Sequence, residues 1–353
     1  VSIRSLFVRE FFAIFITLLL NGHRTISSPM RVVIPVAGVG SRLRPHTYTV
    51  PKVLLNVAGK PIIGHLLDRL IECGFNEVTF VVGYLGDKIR EYILRHYSVS
   101  VDFVEQEERL GLGHAIYLAR HTIAHGPLLI ALGDTVFDVD FRSFTQGEYT
   151  TIGVHHVEDP RRFGVAETKN GFITRLIEKP EQPTSNLAVV GLYYIKTPDL
   201  LIECLENEIK QNLRTKGEFQ LTDALQMMID RGEQMVPYTV DGWYDCGKPE
   251  TLLSTNRLLL ERMTTPDAVN GVLIQPPSFI SPHAVVKRSV IGPYTTIAEG
   301  ARVENSIIKN SIINAEATVT DALLEDSIVG SNAVVRGSYK RINIGDSSEL
   351  EFY

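Results

Sequence analysis

Cysteine is scarce in this chain. Cys73, Cys204 and Cys246 stand singly among 353 residues, with no C-x-x-C spacing. A disulfide framework and a cysteine-based zinc site are thereby excluded, and a reducing compartment is expected. No Lys/Arg-rich run occurs and the formal net charge is −6, which argues against a nucleic-acid-binding surface. Histidine thins out as well: of 10, only His283 lies beyond residue 156. A membrane-length apolar run is also missing. The candidate, Phe11–Leu20, is ten residues long, is interrupted by Thr17, and is flanked by Arg4, Arg9 and Arg24. A comfortable span needs about 20 residues, and no small-residue cleavage site follows. The expectation is that Met30 is the natural start and that residues 1–29 are an upstream extension outside the fold. A membrane anchor is the alternative reading of that segment. What remains is ordinary for a soluble protein, with 44% hydrophobic and 22% charged residues. The length favours two domains.

The informative segment is Val32-Val33-Ile34-Pro35-Val36-Ala37-Gly38-Val39-Gly40-Ser41-Arg42-Leu43-Arg44-Pro45, followed by Pro51-Lys52. An apolar run of strand length enters a Gly-x-Gly turn and then meets Arg42, Arg44 and Lys52. Small residues let backbone N–H groups approach an anion, and the cations can neutralise it. A phosphate chain held at the C-terminal end of a strand is the expected ligand. Two familiar phosphate motifs fail. The dinucleotide fingerprint needs a third Gly where Leu43 stands, and the P-loop needs Gly-Lys-Ser/Thr where the chain has Gly59-Lys60-Pro61.

From Met30 to about Pro266 strand and helix patterns alternate, which predicts a mainly parallel α/β sheet with helices on both faces. Strands are expected at Val32–Val36, Glu77–Val82, Val101–Val104 and Leu128–Leu132. A helix is expected over Ile62–Cys73, with Ile63, Leu66, Leu67, Leu70 and Ile71 on one face. Ligands of such sheets bind beyond the carboxyl ends of the strands, where both the Gly turn and Gly133-Asp134 fall. Past Pro266 aliphatic residues recur every five or six positions. Ile280, Ile297, Ile313 and Val329 are spaced by 17, 16 and 16. That period predicts a triangular β-solenoid of three to four coils, with Gly292, Gly300, Asn314 and Gly330 at corners. The domains are accordingly drawn at residues 30–265 and 266–353.

The pattern G-x-G-S-R-L-R-P with its spaced P-K resembles the signature of the sugar nucleotidyltransferases, the NDP-sugar pyrophosphorylases. The solenoid resembles the left-handed β-helix of hexapeptide-repeat proteins. The first resemblance implies a Rossmann-like domain in which a hexose 1-phosphate attacks the α-phosphate of an NTP and releases pyrophosphate. It implies that Ala37, Gly38, Gly40 and Ser41 contact the nucleotide and that Arg42 and Lys52 are catalytic cations, Arg42 on the β/γ-phosphates and Lys52 nearer the α-phosphate. Leu132-Gly133-Asp134 and Trp243-Tyr244-Asp245-Cys246-Gly247 resemble the family's two metal motifs. Asp134 and Asp245 are thus implied ligands of one Mg²⁺, as suits a hard cation completed by phosphate oxygens and water.

Phe163-Gly164-Val165, Glu178-Lys179-Pro180 and Val190-Gly191-Leu192-Tyr193 resemble the segments that line the sugar pocket. They imply sugar contacts at Gly164, Glu178 and Gly191, and a phosphate contact at catalytic Lys179. Glu218 and Thr222 match a further segment, and Thr222 is placed with the sugar. Gln106 and Gly111 resemble the residues that read a pyrimidine edge, since an amide and a backbone group can match uracil or thymine. The family usually carries L-A-G/A-G where this chain has Pro35-Val36-Ala37-Gly38; Pro35 removes a backbone donor and Val36 is bulkier where small residues face the nucleotide, which leaves base choice open.

The expected function is therefore a cytoplasmic, Mg²⁺-dependent transfer of a nucleotidyl group to glucose 1-phosphate from dTTP or UTP. Mannose-1-phosphate guanylyltransferase is the alternative, as is a catalytically silent regulatory homologue. A glycosyltransferase would use Asp138-Val139-Asp140 instead, which reads better as a turn. The solenoid is read as a capping and homo-oligomerisation module rather than an acyltransferase, and no nucleic acid or membrane partner is expected.

Overall fold

A computed structural model describes residues 30–123, 126–264, 271–337 and 342–351. The reading of residues 1–29 lies outside the described residues. Val32, Val33 and Ile34 are fully buried in the strand Arg31–Pro35, as a continuous apolar run covered on both faces requires. Pro35 ends that strand without breaking the sheet, because the ladder resumes with Val36 N donating to Val81 O at 2.8 Å. The helix Ile62–Glu72 buries Ile62, Ile63, Leu66, Leu67 and Leu70 on one face, and Cys73 caps its C-terminus.

The main sheet runs Phe172–Glu178, Gly164–Lys169, Leu187–Ile195, Leu128–Ala131, Arg31–Pro35, Glu77–Val82 and Ser100–Glu105, with Thr150–His156 pairing Leu187–Ile195 and Met235–Thr239. It is Rossmann-like and parallel from Leu128–Ala131 to Ser100–Glu105. Beyond Leu128–Ala131 the path turns antiparallel through Leu187–Ile195. The parallel expectation therefore describes the half that starts at the Gly turn. Alternate residues of the central strand enter separate cores, Val32 and Ile34 on one side and Val33 on the other. Strand order reverses between Arg31–Pro35 and Leu128–Ala131. The crevice beyond their carboxyl ends is the topological switch point, where open α/β sheets bind ligands.

The C-terminal part is a left-handed β-helix with three parallel sheets of 4, 5 and 5 strands. Ile280, Ile297, Ile313, Val329 and Ile344 stack in register along one inner edge. Four complete coils and two strands of a fifth are described, more than the repeat count predicted. Gly292 and Gly300 do turn corners, yet non-glycine residues take most left-handed positions. Arg288, Asn305 and Asp321 have φ of 47°, 50° and 53° at equivalent corners.

This β-helix braces the back of the Gly turn. Leu43, fully buried, shares a core with Ile312 and Ile328 of the solenoid and with Leu252 and Leu253. Asn256, also fully buried, accepts from Ala58 N at 2.8 Å and Thr296 Oγ1 at 2.7 Å and donates to Tyr294 O at 3.2 Å. In the fifth coil Asn343 Oδ1 accepts from His46 Nε2 and Asp346 from Thr49 Oγ1. His46 is fully buried and its Nδ1 has no partner among the described residues. Asn343→Ala would therefore leave the ring with two unsatisfied nitrogens, a cost of about 1–3 kcal/mol. A lowered Tm with reduced turnover is expected. Unchanged melting and turnover would show that the fifth coil does not support the loop.

Candidate active site

The turn itself follows from sterics. Gly40 has φ 62° and ψ 39°, a left-handed conformation that favours glycine. A Cβ there would lie 3.0 Å from both Lys52 Cβ and Thr47 Cγ2. Thr47 Oγ1 donates to Gly40 O at 2.8 Å and fixes the loop from below. Gly38, by contrast, would bring a Cβ within 4 Å of nothing, so its smallness keeps the cleft open. Ala37 is buried beside Gly83, and Ser41 and Arg42 face solvent on the short turn anchored by Leu43.

Lys52 is only 7% exposed, and its Nζ donates to Asp134 Oδ2 at 2.5 Å and lies 3.9 Å from Asp245 Oδ1. Burial alone would raise the Asp134 carboxyl, but the Lys52 charge and hydrogen bond outweigh it and hold the group below its ordinary value. Asp134 follows Leu128–Ala131, and Asp245 ends Gly242–Asp245, which pairs with Thr135–Asp138. Thr135 lies opposite Asp245 in that ladder, so a hairpin-like pairing brings two distant carboxylates together. A Cβ on Gly247 would sit 2.9 Å from both Asp245 carboxylate oxygens and 3.0 Å from Arg42 Nη2. A side chain at 247 would push apart the ends of Arg42 and Asp245, which converge there.

No group of three or more His, Cys, Asp or Glu suited to a metal occurs among the described residues. Asp134 and Asp245 nevertheless keep 36% and 32% of their side chains exposed. Two hard oxygen donors open to a cleft fit a Mg²⁺ that takes its remaining ligands from phosphate and water. Cys246 between them is buried, its thiol pushed up to about 12 by burial, and offers no nucleophile. Asp138 pairs with Arg262 at 2.8 Å, and Asp140 caps Phe141–Phe144 by accepting from Arg142 N at 3.1 Å. Both are engaged away from Asp134 and Asp245.

On one side of Lys52 a cleft of ≈ 660 Å³ is lined by Ala37, Gly38, Lys52, Gln106, Gly111 and Asp134. Gln106 Nε2 donates to Gly111 O at 3.0 Å. Gly111 has φ 113°, and a Cβ would meet Phe219 O at 2.4 Å, so the loop closes there only with glycine. On the other side a cleft of ≈ 510 Å³ joins Arg42, Asp134, Asp245, Phe163 and Lys179. Next to Lys179 in the chain, Glu178 Oε2 accepts from Thr222 Oγ1 at 2.7 Å and its Oε1 lies 3.1 Å from Lys179 Nζ. A Cβ on Gly164 would reach Thr222 Oγ1 at 3.1 Å and Glu178 Oε2 at 3.3 Å. Gly191, φ 84°, lets Leu132 pass where a Cβ would come within 2.3 Å.

Of the residues singled out from the sequence, Ala37, Gly38, Lys52, Gln106 and Gly111 line the first cleft, Arg42, Lys179 and Asp245 the second, and Asp134 both, whereas Gly40, Ser41, Gly164, Glu178, Gly191 and Thr222 line neither. The sequence reading missed Arg109 in the first, and Arg161, Arg162 and Trp243 in the second. Arg161-Arg162 immediately precede Phe163-Gly164 in the chain, so a dibasic pair beside a sugar segment was the available signal.

One buried acid holds the segment that carries Glu218 and Thr222. Glu208, fully buried, accepts from Gln220 N at 2.8 Å, while its Oε2 has no partner among the described residues. Burial pushes it up to about 7. Between its ordinary value and about 7 the folded state binds the proton and the unfolded state does not, so stability falls as pH rises. Glu208→Gln removes that penalty. The variant is expected to melt higher than wild type at pH 8, by up to about 3 kcal/mol, with the gap closing towards pH 5. Parallel melting curves at both pH values would contradict this.

Residues 31–262 match the family model described as nucleotidyl transferase. The chain is 31% identical to a low-salt glycan biosynthesis nucleotidyltransferase of Haloferax volcanii, over 91% of this chain and 100% of that protein. It is 30% identical to a glucose-1-phosphate thymidylyltransferase of Streptomyces antibioticus, over 91% of this chain and 99% of the relative. Among solved structures, a UDP-glucose pyrophosphorylase complexed with UDP-glucose superposes with a TM-score of 0.57 at 26% identity, covering 66% of this chain and 99% of that one. With the Gly turn, the paired aspartates and the two clefts in place, these similarities put the chain in the nucleotidyl transferase family, among the sugar nucleotidyltransferases that form NDP-sugars.

Proposed function

We propose that the chain joins glucose 1-phosphate to the nucleotidyl group of dTTP or UTP, with Mg²⁺, in the cytoplasm. The observation that carries the reading is the meeting of two clefts at Asp134 and Lys52. The NTP lies in the cleft of Gly38 and Gln106, and the sugar phosphate in that of Glu178 and Lys179. A sugar-phosphate oxygen attacks the α-phosphorus, the bond from that phosphorus to the β-phosphate bridging oxygen breaks, and pyrophosphate leaves with the bonding electrons. The protein contributes alignment and charge stabilisation rather than covalent chemistry.

Lys52 neutralises charge on the non-bridging α-oxygens, and Arg42 grips the leaving pyrophosphate with its fork of donors. Lys179 aligns the nucleophilic phosphate. Glu178, anchored by Thr222, accepts from sugar hydroxyls, with the backbones of Gly164 and Gly191 against the ring. Ala37, Gly40 and Ser41 cradle the nucleotide, and Gln106 and Gly111 read its base. Asp134 and Asp245 hold the Mg²⁺, which supplies Lewis-acid stabilisation of phosphate oxygens when bound.

The domain division at residues 265 and 266 is part of this proposal, as is homo-oligomerisation through the β-helix. Leu273, Val290, Ile307 and Leu323 form an in-register row on one solenoid face. Leu273, Ile307 and Leu323 are 59%, 49% and 39% exposed, which suits a subunit contact. No helix among the described residues is long and apolar enough to cross a membrane. The test is pyrophosphate release with Mg²⁺ across dTTP, UTP, GTP, ATP and CTP, paired with glucose-, mannose- and N-acetylglucosamine-1-phosphate. Glucose 1-phosphate with dTTP or UTP is expected to win. Mannose 1-phosphate with GTP would install the alternative, and silence across the grid would favour a regulatory homologue.

A further inference from the structure

Beyond the residues assigned so far, a histidine stands behind the base-reading amide. Gln106 is 5% exposed, and its backbone is pinned by N–H donation to Val82 O at 2.8 Å. The side-chain nitrogen lies 3.0 Å from Gly111 O and 3.2 Å from His114 Nδ1. A carbonyl can only accept, so the contact with Gly111 fixes which end of the amide is nitrogen. Its first hydrogen goes to Gly111 O. The second goes to His114 Nδ1, which must then carry the lone pair, with the ring proton on Nε2. Both amide donors are thereby committed, and Oε1 is left as a bare acceptor in the cleft wall, with no hydrogen-bond partner among the described residues.

The imidazole itself is held. It sits in the first turn of Leu112–Leu118, tilted against Phe219 with ring centroids 6.5 Å apart. Glu108 and Arg214 are the charged groups that face it; burial lowers its pKa and Glu108 opposes that effect. The neutral ring is therefore the form present near pH 7.

We propose that His114 is a positioning residue for base selection: its Nδ1 lone pair locks the Gln106 amide so that Oε1 accepts from the imino N–H of uracil or thymine and disfavours cytosine. The inference rests on the reading of this cleft as the nucleotide site. Uracil and thymine carry N3–H, guanine carries the corresponding N1–H, and cytosine has a lone pair at that place. Without the Nδ1 lone pair only the Gly111 carbonyl holds the amide, so turning its NH₂ to cytosine costs one hydrogen bond fewer and the selectivity falls. Imidazolium has no lone pair at Nδ1 and would oppose the amide N–H, so acid should loosen the same lock.

The test measures kcat/KM for UTP and for CTP with glucose 1-phosphate, from pH 5.5 to 8. In wild type the UTP/CTP ratio is expected to fall on the acid side. His114→Leu is expected to lower the ratio about tenfold at pH 8, the worth of one hydrogen bond. His114→Asn, whose side-chain oxygen can accept from the amide, is expected to restore the ratio and to flatten its pH dependence. A merely structural role would lower both rates together and leave the ratio alone. Should both variants keep the wild-type ratio, or the wild-type ratio not change with pH, the role of His114 is refuted. Gln106→Ala separates the underlying reading: a preserved UTP/CTP ratio there would refute base recognition by Gln106 itself, whatever His114 does.

Discussion

Exchanging Asp134 and Asp245 together for Asn is expected to remove Mg²⁺-dependent nucleotidyl transfer, a fall of at least about 10³-fold. Lewis-acid stabilisation of a phosphoryl oxygen is worth several kcal/mol, and each 1.36 kcal/mol is about tenfold in rate. Asn keeps the shape of both side chains, so the change falls on charge. The two positions should also act as a unit. If they hold one ion, either single variant alone costs nearly as much as the pair. The double variant also leaves the Lys52 ammonium, only 7% exposed, without its charged partners, so a lowered Tm is expected and turnover is compared well below the melting transition of both proteins. Turnover within tenfold of wild type in the double variant, at any Mg²⁺ concentration, would move the metal elsewhere.

Lys52→Ala carries the second large effect, a loss of about 10²–10³ in kcat by analogy with removing one oxyanion donor. The distances set this ammonium against both aspartates. Lys52 Nζ sits 2.5 Å from Asp134 and is enclosed by the loop that Gly40 closes over its stem. Lys52→Arg is expected to fail as a rescue, because a planar fork does not fit a site shaped for a compact ammonium. The KM for NTP should move less than kcat, since charge on the α-phosphate oxygens grows towards the transition state. Unchanged kcat in Lys52→Ala would leave Lys52 only the structural role of pairing Asp134.

Much of this site is legible in the chain because local chemistry specifies it. Gly40 needs a left-handed backbone, Leu43 needs a core, and the strands Glu77–Val82 and Arg31–Pro35 announce themselves as apolar runs. The helix at Ile62–Glu72 ends within one residue of its periodic pattern. The solenoid period is equally plain, since each inner residue must lie above its equivalent. Contacts between distant segments are not legible in this way. His46 meets Asn343 across 297 positions, and Asn256 binds the Ala58 turn to Thr296. Nothing local marks an Asn or His for such pairing. Corners filled by Arg288, Asn305 and Asp321 also escape a search for glycine, because the repeating inner rows impose the turn on whatever residue stands there. His114 escaped for a similar reason. A half-buried histidine in a helix looks like packing until the amide beside it is seen.

The measurement that bears most directly on the account is product stoichiometry with wild type and the Asp134→Asn/Asp245→Asn variant side by side. Labelled glucose 1-phosphate, dTTP or UTP, and Mg²⁺ are supplied together and then each omitted in turn. The account predicts one pyrophosphate for each NDP-glucose in wild type, neither product when any component is missing, and neither from the variant. Equal amounts of both products from the variant, or pyrophosphate formed without the sugar phosphate, would contradict it.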